Sequence, residues 1–318
     1  MKKIVTIGGG TGHYSLLRGL KRYDVDLTAI VSVVDDGGST GELRTDFGIL
    51  APGDLRNCLV ALSEEEEIED IARLFEYRFS AKSKRLGNHN VGNIILAALT
   101  HLRGDMASAV QIASKILRIK GRVLPVSLDS STLCARTRSG KLLRGQLQVS
   151  YPARREGIAE VWLEPCAKAY RGSADAIREA DLVVLCPGDL YGSVIPNFLT
   201  QGIREALADC RGRFVYVCNL VTKQGTYGFK TADFVREIAR YGGRRPDVVL
   251  YNTRRPTRAV VDKYREEASF FVEPDTAQLR RWTAEALAGP LLVEHDSGDK
   301  RIVRHDPERT SRLIVDLL

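Results

Sequence analysis

Short apolar runs alternate along the chain with longer stretches whose apolar residues recur at helical spacing. The first run, residues 4–7, ends in glycines, and Leu16, Leu17 and Leu20 then follow at helical spacing. Similar runs, each ending in a polar turn, lie at 27–34, 182–186, 214–218 and 247–251. Buried strands separated by helical stretches are typical of a parallel, doubly wound sheet. The pattern therefore predicts an α/β, Rossmann-like fold with a mostly parallel sheet.

The pattern changes between about residues 121 and 165. This stretch contains short apolar runs and a Ser139-Gly140 turn, which predict short strands and a hairpin. It is too short to hold much of a core of its own. We expect a β-rich excursion within a single α/β domain that spans residues 1–318.

The first predicted strand leads into a helix through Gly8-Gly9-Gly10-Thr11-Gly12. Backbone N–H groups at the start of such a helix bind anions, and phosphate above all. The turn is neither a dinucleotide fingerprint, because His13 stands in place of its last glycine, nor a Walker A loop. A tight turn without a ligand is the alternative interpretation. Four glycines in five residues exceed what a turn needs, so we predict phosphate or sugar-phosphate contacts from Gly9, Gly10, Thr11, Gly12 and His13.

The second predicted strand ends in Asp35-Asp36, followed by Gly37, Gly38 and Ser39. An acidic residue at this position holds a ribose hydroxyl in dinucleotide folds. Paired aspartates also suit a hydrated Mg²⁺ beside phosphates, and aspartate in a solvated turn is the alternative without function. Because this loop lies at the same end of the sheet as the glycine turn, we predict a function. Asp35 and Asp36 are the candidate catalytic and metal-binding residues, and the three residues after them are candidate ligand contacts.

Other polar residues lie at helix starts and strand ends. Arg56 and Asn57 occupy the first turn of a predicted helix, while His89 and Asn93 flank the start of another. A lone histidine is more often structural, but among asparagines at a helix start His89 is a candidate acid or phosphate contact. The candidate contacts that follow later strands are Gly188, Asp189, Tyr191, Asn219, Arg254 and Arg255. Since the carboxyl ends of parallel strands share one edge, these residues are expected to meet in one cleft.

The composition narrows the classes of function. The 47 basic and 40 acidic residues give a formal charge of +7, but the basic residues are spread apart from three short clusters. No aromatic-interleaved motif accompanies them, so nucleic-acid binding is not favoured, and an anionic small molecule explains the charge more simply. The six cysteines form no C-x-x-C pair, which is typical of reduced thiols in a cytoplasmic protein. No apolar stretch approaches the roughly 18 residues of a membrane span, and no signal-peptide core is apparent.

Four motifs together resemble those of a known family. They are residues 8–12, 33–41, 52–62 and 187–197, which begin Gly8-Gly9-Gly10, Val33-Val34-Asp35, Pro52-Gly53-Asp54 and Pro187-Gly188-Asp189. They resemble the gluconeogenesis factor (YvcK) family, which is similar in fold to 2-phospho-L-lactate transferase (CofD), an enzyme that joins a phospholactyl group to a deazaflavin. The resemblance extends from residue 4 to about 255 and so covers most of the chain.

The resemblance implies a cytoplasmic protein that binds a UDP-sugar or an NAD-like dinucleotide at the sheet edge. It also implies a role in cell-wall supply and cell shape during gluconeogenic growth, with Mg²⁺ as a candidate ion. A homodimer and protein partners in cell-wall synthesis are compatible with it, and no membrane or nucleic acid is expected. Asn88-His89-Asn90 stands where the family usually has Gly-His-Ser, Asp189 replaces a usual serine, and Gly192 replaces a usual threonine.

Four functions compete. The first is a regulator that binds a nucleotide-sugar and leaves it intact, with at least one of Arg254, Arg255 and Arg258 on its phosphates. The second is a transferase in which Asp35 or Asp36 holds Mg²⁺ while helix starts steady a diphosphate leaving group. An NAD-dependent dehydrogenase comes third because the fingerprint is broken, and nucleic-acid binding comes last. We expect the regulator.

Overall fold

The structure is a computed structural model that describes residues 1–152, 156–297 and 300–318. Its strands are β1 (Lys3–Gly8), β2 (Asp26–Val31), β3 (Arg122–Pro125), β4 (Thr132–Thr137), β5 (Leu142–Arg144), β6 (Ile158–Glu164), β7 (Leu182–Leu185), β8 (Arg213–Val217), β9 (Val248–Asn252), β10 (Glu285–Gly289), β11 (Leu292–Ser297) and β12 (Lys300–His305). The central sheet has the order β10-β9-β8-β7-β1-β2-β3, and all of its pairs are parallel. This confirms the Rossmann-like α/β fold.

Helices cover the central sheet and connect its strands. They are α1 (Gly10–Leu20), α2 (Gly38–Phe47), α3 (Gly53–Leu62), α4 (Glu65–Glu76), α5 (Val91–Arg103), α6 (Met106–Ile116), α7 (Gln146–Ser150), α8 (Arg171–Arg178), α9 (Ile195–Leu199), α10 (Ile203–Asp209), α11 (Thr231–Gly242), α12 (Arg258–Glu266), α13 (Thr276–Leu279) and α14 (Pro307–Val315). A π-helical turn spans Leu190–Val194 and a 3₁₀ turn spans Gln224–Thr226. Every residue of β7 is buried, as expected for a strand covered on both faces.

The order of the strands places a crevice beside β1. The chain extends the sheet from β1 through β2 to β3, and then returns to the other side of β1 with β7, β8, β9 and β10. The connections leave the carboxyl ends of β1 and β7 in opposite directions. Such a switch point opens a crevice in which α/β proteins bind ligands. The gap between β1 and β7 is therefore where the fold provides a site.

The β-rich excursion starts later than the sequence pattern predicts. Strand β3 belongs to the central sheet, because it pairs in parallel with β2 through Ala29 and Val123. The separate antiparallel sheet has the order β5-β4-β6 and spans residues 132–164, with α7 packed against it. The apolar residues of β3 complete the edge of the central sheet instead of forming the small one.

The last elements return to the beginning of the chain. β11 and β12 form an antiparallel hairpin, and α14 packs against α1. The close approach requires Gly19, since an added Cβ would overlap the carbonyl oxygen of Pro307. β12 thereby comes to lie beside the start of α1. Among the described residues, no helix combines the length and the apolar character that a membrane span requires.

Candidate functional site: a cleft at the switch point

A cleft of about 280 Å³ opens at the carboxyl ends of β1, β7 and β8. Five separate segments of the chain line it. The lining residues are Gly9, Gly10, Thr11, Gly12, Gln146, Leu147, Ser150, Tyr151, Pro187, Gly188, Asp189, Ser193, Asn219, Leu220, Val221, Lys223, Val303, Arg304 and His305. The glycine turn and the α7 part of the β-rich excursion thus both line the cleft at the switch point.

The glycine turn forms the floor of the cleft. Gly9 is the N-cap of α1 and brings no capping side chain, while Asp54 accepts the N–H of Gly10, so Thr11 and Gly12 carry the N–H groups that the helix start offers to the cleft. A Cβ on Gly12 would overlap the carbonyl oxygen of Pro187, and a Cβ on Gly9 would lie 2.5 Å from Oδ2 of Asp54. Glycine is therefore needed for close backbone approach, and the helix start that results is suited to an anion.

Two cationic side chains face this floor. Lys223 follows β8, and its Nζ lies 3.7 Å from Oδ2 of Asp189 and 5.6 Å from the ring centroid of Tyr151. Arg304 lies on β12, where its Nη1 donates to the carbonyl oxygen of Val303 at 3.0 Å. Charge-assisted bonds from such groups to phosphate are about twice as strong as neutral ones. The sequence analysis missed both residues, although Arg304 belongs to one of the basic clusters.

Helix α7 forms the opposite wall. Leu147 and Tyr151 keep 46% and 59% of their surface exposed, although both are large and apolar. The helix is held by Asp36, whose two carboxylate oxygens accept the N–H groups of Gln146 and Leu147, each at 2.9 Å. The sequence analysis placed no ligand contact in the excursion. Within this stretch, Tyr151 beside a polar turn is the local sequence feature that indicates a ligand contact.

Asp35 and Asp54 form a carboxylate pair beneath the glycine turn. Oδ1 of Asp35 accepts the N–H of Gly37 at 3.0 Å, and burial raises the pKa of Asp35. Burial, followed by the charge of Asp35, raises the pKa of Asp54 to about 6. Burial is the main cause of both shifts, and a neighbouring carboxylate adds to each, Asp36 for Asp35 and Asp35 for Asp54.

The same pair determines where a cation would fit. Asp36 uses both oxygens on α7, so Asp35 and Asp54 are the other carboxylates near the glycine turn, and neither is among the described residues that line the cleft. Within the described ranges, no group of three or more His, Cys, Asp or Glu side chains is arranged to hold a metal. Mg²⁺ takes one or two carboxylates and completes its shell with phosphate oxygens and water. The residues present therefore fit Mg²⁺ only together with the phosphates of a ligand.

Three predicted site residues meet in a separate polar cluster between α2 and α5. Nδ1 of His89 lies 3.1 Å from Oγ of Ser39, and Nε2 of His89 lies 3.1 Å from Oε2 of Glu42. Asn93 is buried, and its Nδ2 lies 3.5 Å from Oγ1 of Thr40. None of the three is among the residues that line the cleft in the described structure. This cluster joins α2 to the start of α5.

Arg56 and Asn57 lie at the start of α3, behind the carboxylate pair. Nη2 of Arg56 donates to Oδ1 of Asn57 at 2.6 Å, and burial lowers the pKa of Arg56. The stem of Arg56 packs on Gly92, where an added Cβ would lie 2.8 Å from the arginine Cδ. Arg56 thus packs against α5 and is not among the described residues that line the cleft.

His13 and Tyr191 turn into the core. His13 is fully buried, its Nε2 lies 2.8 Å from Oγ1 of Thr6, and burial lowers its pKa to about 3. It is therefore neutral and supports the glycine turn from below. The buried hydroxyl of Tyr191 donates to Oε2 of Glu237 at 3.2 Å. Both residues face away from the space in which a ligand would lie.

The remaining predicted residues divide between the cleft and the surface. Asn219 lines the cleft, where it donates to the carbonyl oxygen of Gly188. Gly37 and Gly38 lead into α2, and Arg254 and Arg255 are exposed beyond β9. Nη1 of Arg254 donates to the carbonyl oxygen of Leu292 at 3.3 Å. The predicted contacts that the structure brings together in the cleft are Gly9, Gly10, Thr11, Gly12, Gly188, Asp189 and Asn219.

Comparison with known proteins gives the class to which this fold and site belong. The family model of 2-phospho-L-lactate transferase CofD matches residues 4–292. A crystal structure of a upf0052 family protein from Bacillus halodurans superposes with a TM-score of 0.93 at 37% identity, over 99% of this chain and 100% of that one.

Two relatives narrow the class further. The Bacillus subtilis "Gluconeogenesis factor" is 38% identical over 99% of this chain and 98% of its own length. The Thermotoga maritima "Putative gluconeogenesis factor" is 41% identical over 98% of both chains. The chain therefore belongs to the CofD family and, within it, to the gluconeogenesis factor (YvcK) group.

Proposed function

We propose that the cleft binds a UDP-sugar or an NAD-like dinucleotide through its diphosphate. One observation carries the proposal: a glycine-rich helix start, whose N-cap Gly9 has no side chain, shares a cleft with Lys223 and Arg304. The N–H groups of Thr11 and Gly12 supply directed donors, and the two side chains supply positive charge on the facing walls. Leu147 of α7 and Tyr151, which directly follows this helix, supply an apolar surface for the ring of the nucleotide.

The biological role follows from membership of the gluconeogenesis factor group. We infer that this cytoplasmic protein acts in cell-wall supply and cell shape during growth on gluconeogenic carbon sources. In this role the cleft senses its nucleotide and leaves it intact, while another surface contacts a second copy or a protein partner in cell-wall synthesis. The position of His89 supports sensing over catalysis, because this histidine lies between Ser39 and Glu42 and is not among the described residues that line the cleft.

Calorimetry with a series of ligands tests the binding proposal. UDP-N-acetylglucosamine, UDP, uridine and NAD would be titrated into the protein with and without Mg²⁺. Each charge-assisted hydrogen bond contributes about 1.5–3 kcal/mol, so UDP should bind at least about 100-fold more tightly than uridine. Equal affinities for uridine and UDP would show that the glycine turn does not hold phosphate.

The carboxylate pair favours one other function, a Mg²⁺-dependent transferase of the CofD kind. Asp35 and Asp54 lie beneath the glycine turn, where a cation could bridge them to a diphosphate leaving group. Asp54→Asn separates the two functions. In a sensor, the loss of a negative charge near the diphosphate should leave binding as tight or tighter, with or without Mg²⁺. In a transferase, binding should depend on Mg²⁺ and the variant should lose nucleoside phosphate release in the presence of an acceptor.

A further inference from the structure

Asp189 places a buried carboxylate oxygen with no hydrogen-bond donor in the wall of the cleft. Its side chain is only 8% exposed, and Oδ1 accepts the N–H of Gly192 at 3.1 Å as the cap of the π-helical turn. Among the described residues, nothing donates a hydrogen bond to Oδ2. The nearest cation, Nζ of Lys223, is 3.7 Å away, which is too long for a hydrogen bond.

A buried acceptor of this kind costs free energy unless something donates to it. Asp189 directly follows Gly188, and an added Cβ on Gly188 would lie 3.3 Å from the carbonyl oxygen of Gly9. Asp189 therefore follows a residue that packs on the glycine turn, and it lines the same cleft as the turn at which the diphosphate is proposed to bind. A ligand group that is separated from the diphosphate by only a few bonds would reach Oδ2 of Asp189.

We propose that Oδ2 of Asp189 accepts a hydrogen bond from a hydroxyl of the bound nucleotide, and that Asp189 selects ligands with a hydroxyl at that position. The inference rests on the proposed nucleotide binding. A carboxylate accepts but does not donate, so it favours a hydroxyl and repels a phosphate placed at the same point. The hydroxyl belongs either to the ribose or to the sugar on the far phosphate.

Lys223 offsets the negative charge of Asp189, because its ammonium is the cation nearest to the carboxylate among the described residues. Its ammonium lies between the Asp189 carboxylate and the Tyr151 ring, and it is 44% exposed. The Lys223 ammonium can therefore move toward the ligand phosphate, while the ligand hydroxyl donates to the Asp189 carboxylate in its place. The two side chains act together: Lys223 binds the phosphate of the ligand, and Asp189 binds the hydroxyl next to it.

Asp189→Ser isolates this second oxygen. Serine is as good an N-cap as aspartate, so its hydroxyl can still accept the N–H of Gly192 and maintain the turn. It removes the charge and the orphaned acceptor. Asp189→Asn is the intermediate variant, because its amide can make only a neutral hydrogen bond. The matched control is Asp105→Ser, since Asp105 caps α6 in the same way with Oδ1 accepting the N–H of Ser108 at 2.8 Å.

The experiment compares affinities by calorimetry for UDP, 2′-deoxy-UDP, 3′-deoxy-UDP and UDP-N-acetylglucosamine. If the ribose is recognised, the wild-type protein should bind one deoxy analogue about 10- to 100-fold more weakly than UDP, as expected for a hydrogen bond to a charged group. If the sugar is recognised, the wild-type protein should prefer UDP-N-acetylglucosamine to UDP by a similar factor. In the serine variant that ratio should fall to within about threefold of unity, the asparagine variant should lie between, and the control should match wild type.

The outcomes separate this inference from the proposed function. Tight UDP binding with ratios that are the same in wild type and Asp189→Ser would overturn the role of Asp189 alone. An absence of binding for every nucleotide in the series would overturn both. Circular dichroism melting of each variant shows whether the fold is retained, and the asparagine variant keeps the test decisive if the serine variant fails to fold.

Discussion

The aspartates around the cleft differ in what their oxygens bind. Asp36 gives both oxygens to backbone N–H groups, and Asp189 gives one and leaves the other without a donor. Asp54 instead lies beneath the glycine turn beside a second carboxylate. The neighbours of each aspartate therefore decide its role: Asp36 is a structural cap, Asp189 is a candidate ligand contact, and Asp54 is a carboxylate whose ionised form is destabilised by burial.

Asp54 should destabilise the fold when it is ionised. Its folded pKa of about 6 lies above the ordinary aspartate value of 3.8, so its contribution to stability is complete at acid pH and is lost as the pH rises through 6. We expect Asp54→Asn to raise the free energy of unfolding by about 1–3 kcal/mol at pH 8, with the gain shrinking between pH 6 and pH 4. Urea unfolding at several pH values measures this. A constant gain at every pH would contradict it, and the exposed Asp24→Asn serves as the control.

Arg304 should act on the phosphates of the ligand. Removing its guanidinium deletes a charge-assisted bond, so Arg304→Ala should weaken UDP binding about 10-fold while leaving uridine binding unchanged. The control is Arg255→Ala, which removes an exposed arginine beyond β9. If the Arg255 variant lost UDP affinity and the Arg304 variant did not, the phosphates would lie nearer β9, as the sequence pattern alone predicts.

Among individual residues, the sequence could predict those that act through their backbone conformation. The glycine turn follows from Gly9, Gly10 and Gly12 because only a strand–helix junction needs so many. The orientation of a long side chain could not be predicted in the same way. Arg56 packs on Gly92 of a helix that begins 35 residues later, and His13 turns inward to meet Thr6. Such partners are fixed by tertiary packing, which a single sequence does not display.

At the scale of elements, the five-residue helix α7 depends on a distant residue. A helix this short is not stable on its own, because nucleation costs more than its few hydrogen bonds return. Asp36, which lies 110 positions before Gln146, satisfies two of its N–H groups and orients it over the cleft. The sequence predicted the central sheet from its regular apolar runs but not α7, because the residue that stabilises this helix lies on another element.

Asp36→Asn should therefore loosen α7 and leave the metal response of the protein unchanged. The amide can accept only one of the two N–H bonds, so backbone hydrogens of Gln146 and Leu147 should exchange at least about 10-fold faster. Hydrogen exchange read by mass spectrometry measures this, with Asp46→Asn as the control. UDP binding should weaken equally with and without Mg²⁺. A loss confined to the Mg²⁺-containing samples would instead make Asp36 a metal ligand.

Across the whole molecule, two buried histidines make the fold sensitive to acid. Burial lowers the pKa of His13 to about 3 and that of His305 to about 4, so both are neutral in the folded protein. The unfolded chain binds their protons below about pH 6.5, which removes stability as the pH falls from there toward 4. Protonation of Asp54 increases the stability of the fold as the pH falls, and this gain offsets the loss caused by one of the two histidines.

The free energy of unfolding should accordingly decrease by at most about 1.4 kcal/mol for each pH unit between pH 6 and pH 5, because the raised pKa of Asp35 adds to the offset from Asp54. His305→Gln keeps a donor for the carbonyl oxygen of Cys218 but does not titrate, so its stability should be nearly constant over this interval. The exposed His101→Gln should retain the wild-type slope. Urea unfolding at half-unit pH steps decides the matter, and an unchanged slope in the His305 variant would show that this histidine is not neutral in the fold.

The hairpin β11–β12 has a consequence for the order of events during synthesis on the ribosome. The floor of the cleft is made from residues 9–12, whereas Arg304 and His305 are added almost 300 residues later. A nascent chain can form β1 and the glycine turn early but cannot enclose a nucleotide until β12 has left the exit tunnel. Ligand binding would then stabilise only chains whose synthesis has passed residue 305.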